Sequence, residues 1–574
     1  MKEYTGLIAE FHDYFTRDAN ACVSLGVDKH LDDLPDPRLE AAATEVSAGE
    51  ELLAALRSFP RDGLTFDEKL DLDLAAMVVA FALFQNTYTF NGKTALEQTP
   101  TAGDDISDGL FLMFINDPRP AEERLRNITA RLEKVPMYLA QLLNRLDTPV
   151  ERWVAIDIEK VQGLPELFQT ICDWAEEEKF PEFERLAAAR RQAEAALAHY
   201  TGKLQAMPTT TNFFIGEEQA RKLIQLRGID KSLEELHSMA AKFLRDTATE
   251  LEQLRCKLAG KYGLRPGTTV EELQHFLNQQ YRVDLKTNSL TDVIDRYKQE
   301  REKILAYLEE RRLFPIFAEQ DMLIMQTPAF MAPSIPAGAM VSPPPFRKGT
   351  KRSMIYLTLS EELLDEHTEL SIPSMMIHEG IPGHHLQLAA AANHPSVVRR
   401  HFDALEHAEG WTTMLEDYML DIGYMGELTD EARFIAKRDI ARLGARVAID
   451  LYFMTGDVRY LDVGIEVDVS SKDPFENAGR LLQKVTGYVA GRVQAELNWY
   501  SEERGYPLCY LAGNKLVWKL KADMIKAQKG KLEGLELDRE FHSLYLQSGN
   551  MPLSFLRRVF EYEKLVNKGL DTPY

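Results

Sequence analysis

The chain has 574 residues, a net charge of −23 and 45% hydrophobic content, so it is long enough to bury a large core and reads as a folded globular protein of more than one lobe. That acidity argues against nucleic acid or an anionic membrane as partner. The longest apolar run, Leu74 to Phe84, is short of the ~20 residues of a membrane span.

Residues 1 to about 205 read as helical. Asp32 to Pro37 is a turn-rich break after the first helix. Leu70 to Phe84 predicts a central apolar helix. Glu122 to Leu146 carries Ile128, Leu132, Val135, Leu139 and Leu143 at intervals of three and four, an amphipathic helix. Pro136 is expected to kink or break it. Phe180 to Leu204, rich in Ala and Arg, predicts an exposed helix. Met207 to Asn212 then marks a boundary, giving an N-terminal helical lobe over 1–206. A helical middle section follows over 207–320, with Ser232 and Glu235 spaced as a capping box.

A third section, 321–574, opens on a proline-rich stretch from Gln326 to Pro345, expected to be an ordered loop. Ser353 to Leu359 reads as a strand. Its edge, with Tyr356, is expected to line the substrate groove and accept extended substrate as a further strand.

The chain is organised around His378-Glu379-Gly380-Ile381-Pro382-Gly383-His384-His385. Apolar residues flank it on both sides, so it reads as a buried helix carrying ionisable groups. Such groups are costly to bury unless paired or metal-bound. In the motif His-Glu-x-x-His, two histidines four apart bind zinc and the Glu is the general base. Here Pro382 stands at the second histidine's place. On a regular helix His385 would sit ~10.5 Å up the axis from His378, too far to share an ion. Pro382 and Gly383 predict a bulge. Two extra residues bring His384 to the ligand position and three bring His385. Both stay open, with His384 preferred.

This block resembles the signature of the DUF885 family, which is grouped with gluzincin-type zinc metallopeptidases. Further likenesses are Leu25-Gly26-Val27-Asp28, Ile215-Gly216, Ala408-Glu409-Gly410-Trp411, Tyr488-x-x-Gly491 and Phe541-His542. The resemblance implies a mainly α, multi-helical, two-lobed fold with a small β element beside the active-site helix. It also implies a third metal ligand in Glu409, 31 residues after His378, with Glu416 on the same face behind it. Arg446 and Asp450 are implied to lie near the site. Arg442, four residues before Arg446, shares its helix face, and either arginine would suit a substrate carboxylate. Tyr488 is implied as a donor to the reacting carbonyl. The chain departs from the family pattern at Phe453-Met454, where Leu-His is usual, and at Leu482-Gln483-Lys484, where Pro-Gly-Gln is usual.

The expected chemistry is that of a zinc-dependent hydrolase of short peptides, of oligopeptidase or carboxypeptidase type. One Zn²⁺ would be held by His378, His384 and Glu409. Glu379 would activate the zinc-bound water, with His385 or Tyr488 polarising the carbonyl. The alternative is a catalytically inactive relative that binds peptides or a partner. A di-iron bundle is the weaker rival, on the spacings Glu234/His237 and Glu272/His275. The four cysteines form no CxxC pair and the N-terminus shows no signal pattern. A cytoplasmic protein is therefore expected, with a homodimer allowed.

Overall fold

Local signals start many of the helices. Thr65, Ser232 and Thr269 each accept a hydrogen bond from the backbone N–H three residues on, while Glu68, Glu235 and Glu272 reach back to the cap. These are reciprocal capping boxes, the one at Ser232 as expected. The computed structural model describes residues 3–287, 289–327, 338–359, 364 and 367–568. Those residues form twenty-four α-helices, numbered α1–α24 in chain order, and five short strands. The architecture is mainly helical, as the resemblance implied.

The amphipathic segment becomes α7 (Ala121–Arg145), which runs unbroken through Pro136. Leu125, Ile128, Leu132, Val135, Leu139 and Leu142 are buried on one face, largely against α9 (Phe183–Gln205). Each such side chain contributes roughly 1.5–3 kcal/mol, and together they outweigh the ~3 kcal/mol cost of one interior proline. The helix expected to be exposed is α9, and it is so on one side only. Leu186, Ala189, Ala193, Leu197, Tyr200 and Leu204 are buried.

Two hydrophobic cores cross the boundaries expected at 206 and 320, while a third lies mostly within Val23 to Leu204, joined there by Met354 and Tyr356. One core joins Leu7–Val79 to segments between Val283 and Val566. A second joins Phe84–Leu244 to Ile440–Ala512. Among the described residues one helix, α4 (Phe66–Thr87), is by length and composition long and apolar enough to cross a membrane. In this fold its Leu70, Leu72 and Leu74 are in the first core, and its Asp71 pairs with Arg399 at 2.8 Å.

The strands β1 (Thr89–Phe90) and β2 (Lys93–Thr94) form a small hairpin. The others, β3 (Gln320–Gln326), β4 (Gly338–Val341) and β5 (Lys351–Leu357), form a sheet in the order β3-β5-β4. The predicted strand is β5, and it is central rather than an edge. It runs parallel to β3 and antiparallel to β4, with Ala339 opposite Tyr356. Ser353 to Leu357 are buried without alternation, the pattern of a strand covered on both faces. Tyr356 is fully buried, with its ring 6.1 Å from Phe111. It does not face a groove. Among the described residues β4 is the sheet edge on the cleft side, at Gly338 and Ala339. Of the proline-rich stretch, residues 328–337 lie outside the described residues.

Candidate metal centre

The histidine block is two helices. α14 (Ser371–Glu379) stops at Gly380, and α15 (His384–Ala392) starts after Gly383. The Ile381–Pro382 peptide between them is cis. Gly383 is pressed against the end of α14: a Cβ there would lie 2.0 Å from the His378 carbonyl oxygen, so only glycine fits. The Trp411 indole N–H donates to the Pro382 carbonyl at 2.9 Å and ties this turn to α17 (Leu405–Asp421). The interruption brings His384 back to His378, with ring centroids 5.0 Å apart and nearly perpendicular planes.

Glu409 comes from α17 to complete the group. His378, His384 and Glu409 each offer a ligand atom within 4.8 Å of the others. The Nε2 atoms of His378 and His384 lie 3.7 and 3.3 Å from Glu409 Oε2. All three residues are buried. Glu409 Oε2 and His384 Nδ1 are buried without a hydrogen-bond partner.

A second carboxylate stands behind the first histidine. Glu416, two turns further along α17, takes a 2.7 Å hydrogen bond from His378 Nδ1 and a 3.3 Å one from the Ser374 hydroxyl. With Nδ1 carrying the proton, Nε2 presents its lone pair to the cluster. Burial works against a charged His378, but the carboxylates of Glu409, Glu416 and Glu379 outweigh it and push its pKa up to about 10. Burial also opposes charge on Glu409, yet His384 and His378 hold it well below the usual carboxylate range. The group calls for positive charge at its centre.

His378, Glu379 and Glu416 line a cleft of about 1770 Å³ whose wall also includes Tyr488, Arg442, Arg446 and Tyr510. Glu379 is half-buried there. Arg446, on α19 (Arg442–Thr455), donates through Nε to Tyr500 and through Nη2 to Glu496, each at 2.9 Å. Its guanidinium lies 4.6 Å from the centroid of the Tyr510 ring. Arg442 pairs with Asp439. The Tyr488 hydroxyl accepts from Arg492 at 3.1 Å and lies 3.4 Å from Asp439, with the Arg492 guanidinium 3.8 Å over the ring.

One expected role changes, and one departure from the family pattern lies away from the site. His385 is fully buried on the far side of α15, bonded to the Ser353 hydroxyl at 2.7 Å and to Gln320. Burial lowers its pKa to about 4. It anchors α15 to the sheet and is not a donor to a reacting carbonyl. The Phe453-Met454 departure is also remote. Both side chains are in the second core, Phe453 edge-on to Phe213 at 5.2 Å, and neither lines the cleft. Of the di-iron spacings, Glu234 pairs with Arg221 and His237 with the Asp462 carbonyl, both exposed.

Sequence reasoning missed Tyr506. Its hydroxyl donates to Glu409 Oε1 at 2.9 Å, and its ring stacks parallel to Tyr510 at 5.7 Å. It sits in the turn before α22 (Cys509–Gln528), 97 residues from its partner. No spacing rule connects the two. Asp450, implied to lie near the site, accepts from the backbone N–H of Gly505 and Leu508 at 2.9 and 3.1 Å and so holds that turn.

Two solved structures share the fold. One is described as "a putative lipoprotein of unknown function from Shewanella oneidensis": TM-score 0.76, 17% identity, 98% of this chain and 100% of that one covered. The other is described as "the putative lipoprotein from Colwellia psychrerythraea": TM-score 0.78, 15% identity, 98% and 100% covered. No curated protein matches the chain. The family model described as bacterial protein of unknown function, DUF885, matches residues 21–560, and the chain belongs to that family.

Proposed function

We propose that this chain is a zinc-dependent hydrolase of peptide bonds in short peptides, of oligopeptidase or carboxypeptidase type. The observation that carries this reading is Glu409 Oε2, a buried carboxylate oxygen without a hydrogen bond, set between two imidazole Nε2 atoms. A tetrahedral ion with ligands at ~2.0–2.1 Å puts neighbouring donor atoms ~3.3 Å apart. The observed 3.7 and 3.3 Å fit it. Two histidines and a carboxylate are also a zinc donor set that leaves a fourth position open. When bound, zinc supplies Lewis acidity and acidifies water at the site.

The chain's own groups supply the rest. Glu379 adjoins His378 and faces the cleft, where it takes a proton from the attacking water and returns it to the leaving amine. Glu416 fixes the His378 tautomer. The β4 edge, on which no described strand pairs, offers backbone groups to an extended substrate. Arg442 and Arg446 stand on the same cleft wall for a substrate carboxylate, such as a free C-terminus. Tyr488 stands on that wall as a further hydrogen-bonding group. The cleft exceeds the ~300–1,000 Å³ of a small-molecule pocket, which favours a peptide of several residues.

Cytoplasmic placement is part of this reading, because the four cysteines are unpaired. The description of the two structural neighbours as lipoproteins favours a lipid anchor instead, and cell fractionation decides between them.

The test is elemental mass spectrometry of purified protein beside the Glu409→Ala and Glu379→Gln variants. One zinc per chain is expected in the wild type and in Glu379→Gln, and none in Glu409→Ala. Peptide hydrolysis is expected to fall about 10²–10⁴-fold in Glu379→Gln. A wild type that takes up no zinc when supplied with it refutes the hydrolase. Zinc with bound but uncut peptides points to the inactive binding relative.

A further inference from the structure

Glu409 has two oxygens, and the fold treats them differently. Oε2 faces the two imidazoles without a partner, while Oε1 accepts from the Tyr506 hydroxyl at 2.9 Å. A carboxylate has about four lone-pair positions and can bind a metal through one oxygen or both. A donor fixed on Oε1 decides between them.

Tyr506 is held from several directions. Asp450 accepts from the N–H of Gly505 and of Leu508, the residues either side of the Tyr506–Pro507 pair. Gly505 has φ +74°, which a side chain would strain. The Tyr506 ring lies edge-on to Trp499 at 5.0 Å and parallel to Tyr510 at 5.7 Å. Arg446, one helical turn before Asp450 on α19, lies against the far ring, Tyr510. One helix face therefore locates both the tyrosine pair and the turn that carries it.

We propose that Tyr506 is a positioning residue for the metal centre, holding Glu409 as a one-oxygen ligand through Oε2, with Asp450 fixing the turn that presents it. This rests on the metal reading above. With the hydroxyl removed, Glu409 is free to rotate or to chelate through both oxygens. Outer hydrogen bonds of this kind are typically worth 10–100-fold in metal affinity.

The experiment uses the full-length metal-free protein and three probes: Zn²⁺ titration against a competing chelator, the visible spectrum with Co²⁺, and thermal unfolding without metal. In Tyr506→Phe, zinc affinity is expected to fall about 10–100-fold, while metal-free unfolding shifts only by the loss of one hydrogen bond to Glu409. The Co²⁺ absorption is expected to weaken and shift as a fifth ligand atom joins. Asp450→Asn is expected to lower zinc affinity in the same direction. Wild-type zinc affinity and cobalt spectrum in Tyr506→Phe overturn the positioning role and leave the metal reading intact. Failure of the wild type itself to bind zinc overturns both.

Discussion

Replacing Gly513 by alanine tests the packing that sets the centre's geometry. Helices α17 and α22 touch backbone to backbone: a Cβ on Gly513 would lie 2.0 Å from the Glu406 carbonyl oxygen, and one on Gly410 would lie 2.5 Å from the Gly513 carbonyl carbon. Neither obstacle is a side chain that can swing away. Restoring ordinary contact near ~3.5 Å requires the helices to part by about 1.5 Å. Overpacking of this kind costs about 1–3 kcal/mol, and a backbone obstacle belongs at the top of that range. The helix preference of Ala over Gly offsets up to ~1 kcal/mol. A net loss of about 2 kcal/mol or more is expected. Gly202, inside α9 with nothing within 4 Å of its Cβ position, receives the same substitution without an obstacle. Gly202→Ala is expected to stabilise by about 0.5–1 kcal/mol. The assay is urea unfolding of metal-free protein followed by circular dichroism, with the two midpoints compared against wild type. They should move in opposite directions. Zinc affinity should fall in Gly513→Ala alone, since parting the helices draws Tyr510 and the Tyr506 turn away from Glu409. A Gly513→Ala midpoint at or above wild type refutes the close-contact argument.

Two further outcomes are expected. Glu416→Ala removes the acceptor at His378 Nδ1, and zinc affinity measured by chelator competition should drop about 10–100-fold; an unchanged affinity would show that the imidazole is oriented by packing alone. The carboxyl of Glu406, buried in the first turn of α17 with Oε2 unpartnered, has its pKa pushed up by burial from 4.5 to about 8. The folded state thus holds a proton that the unfolded state releases, so this group's contribution is whole below pH 4.5 and is lost as pH rises to about 8. Glu406→Gln, which mimics the protonated form, should flatten the fall in stability across that window, as read by unfolding midpoints at several pH values. A slope identical to wild type contradicts a buried neutral carboxyl.

The sequence by itself determined whatever depends on near neighbours. Capping boxes declare themselves over four residues, and the face of α7 over a few turns. His378 and, ahead of His385, His384 follow from helix geometry once Pro382 and Gly383 mark the interruption, and Glu416 from its place two turns after Glu409. Glu409 was reached through the family likeness rather than from spacing. Composition could not say whether Pro136 would break α7, because the answer depends on apolar surface supplied by α9. The expectation of an edge strand misplaced Tyr356, since a central strand buried on both faces reads much like an edge strand when its neighbours are unknown. His385 shows the same limit. Its proximity to the ligands in sequence suggested chemistry, and one further residue of helix rotation turned it to Ser353 and Gln320. Only the tertiary structure decided the outer partners of the centre. Tyr506 meets Glu409 across 97 residues. Contacts of that range are set by how whole helices pack, here by Gly410 against Gly513 and by the grip of Asp450 on a distant turn, and such packing leaves no periodicity in the chain to read.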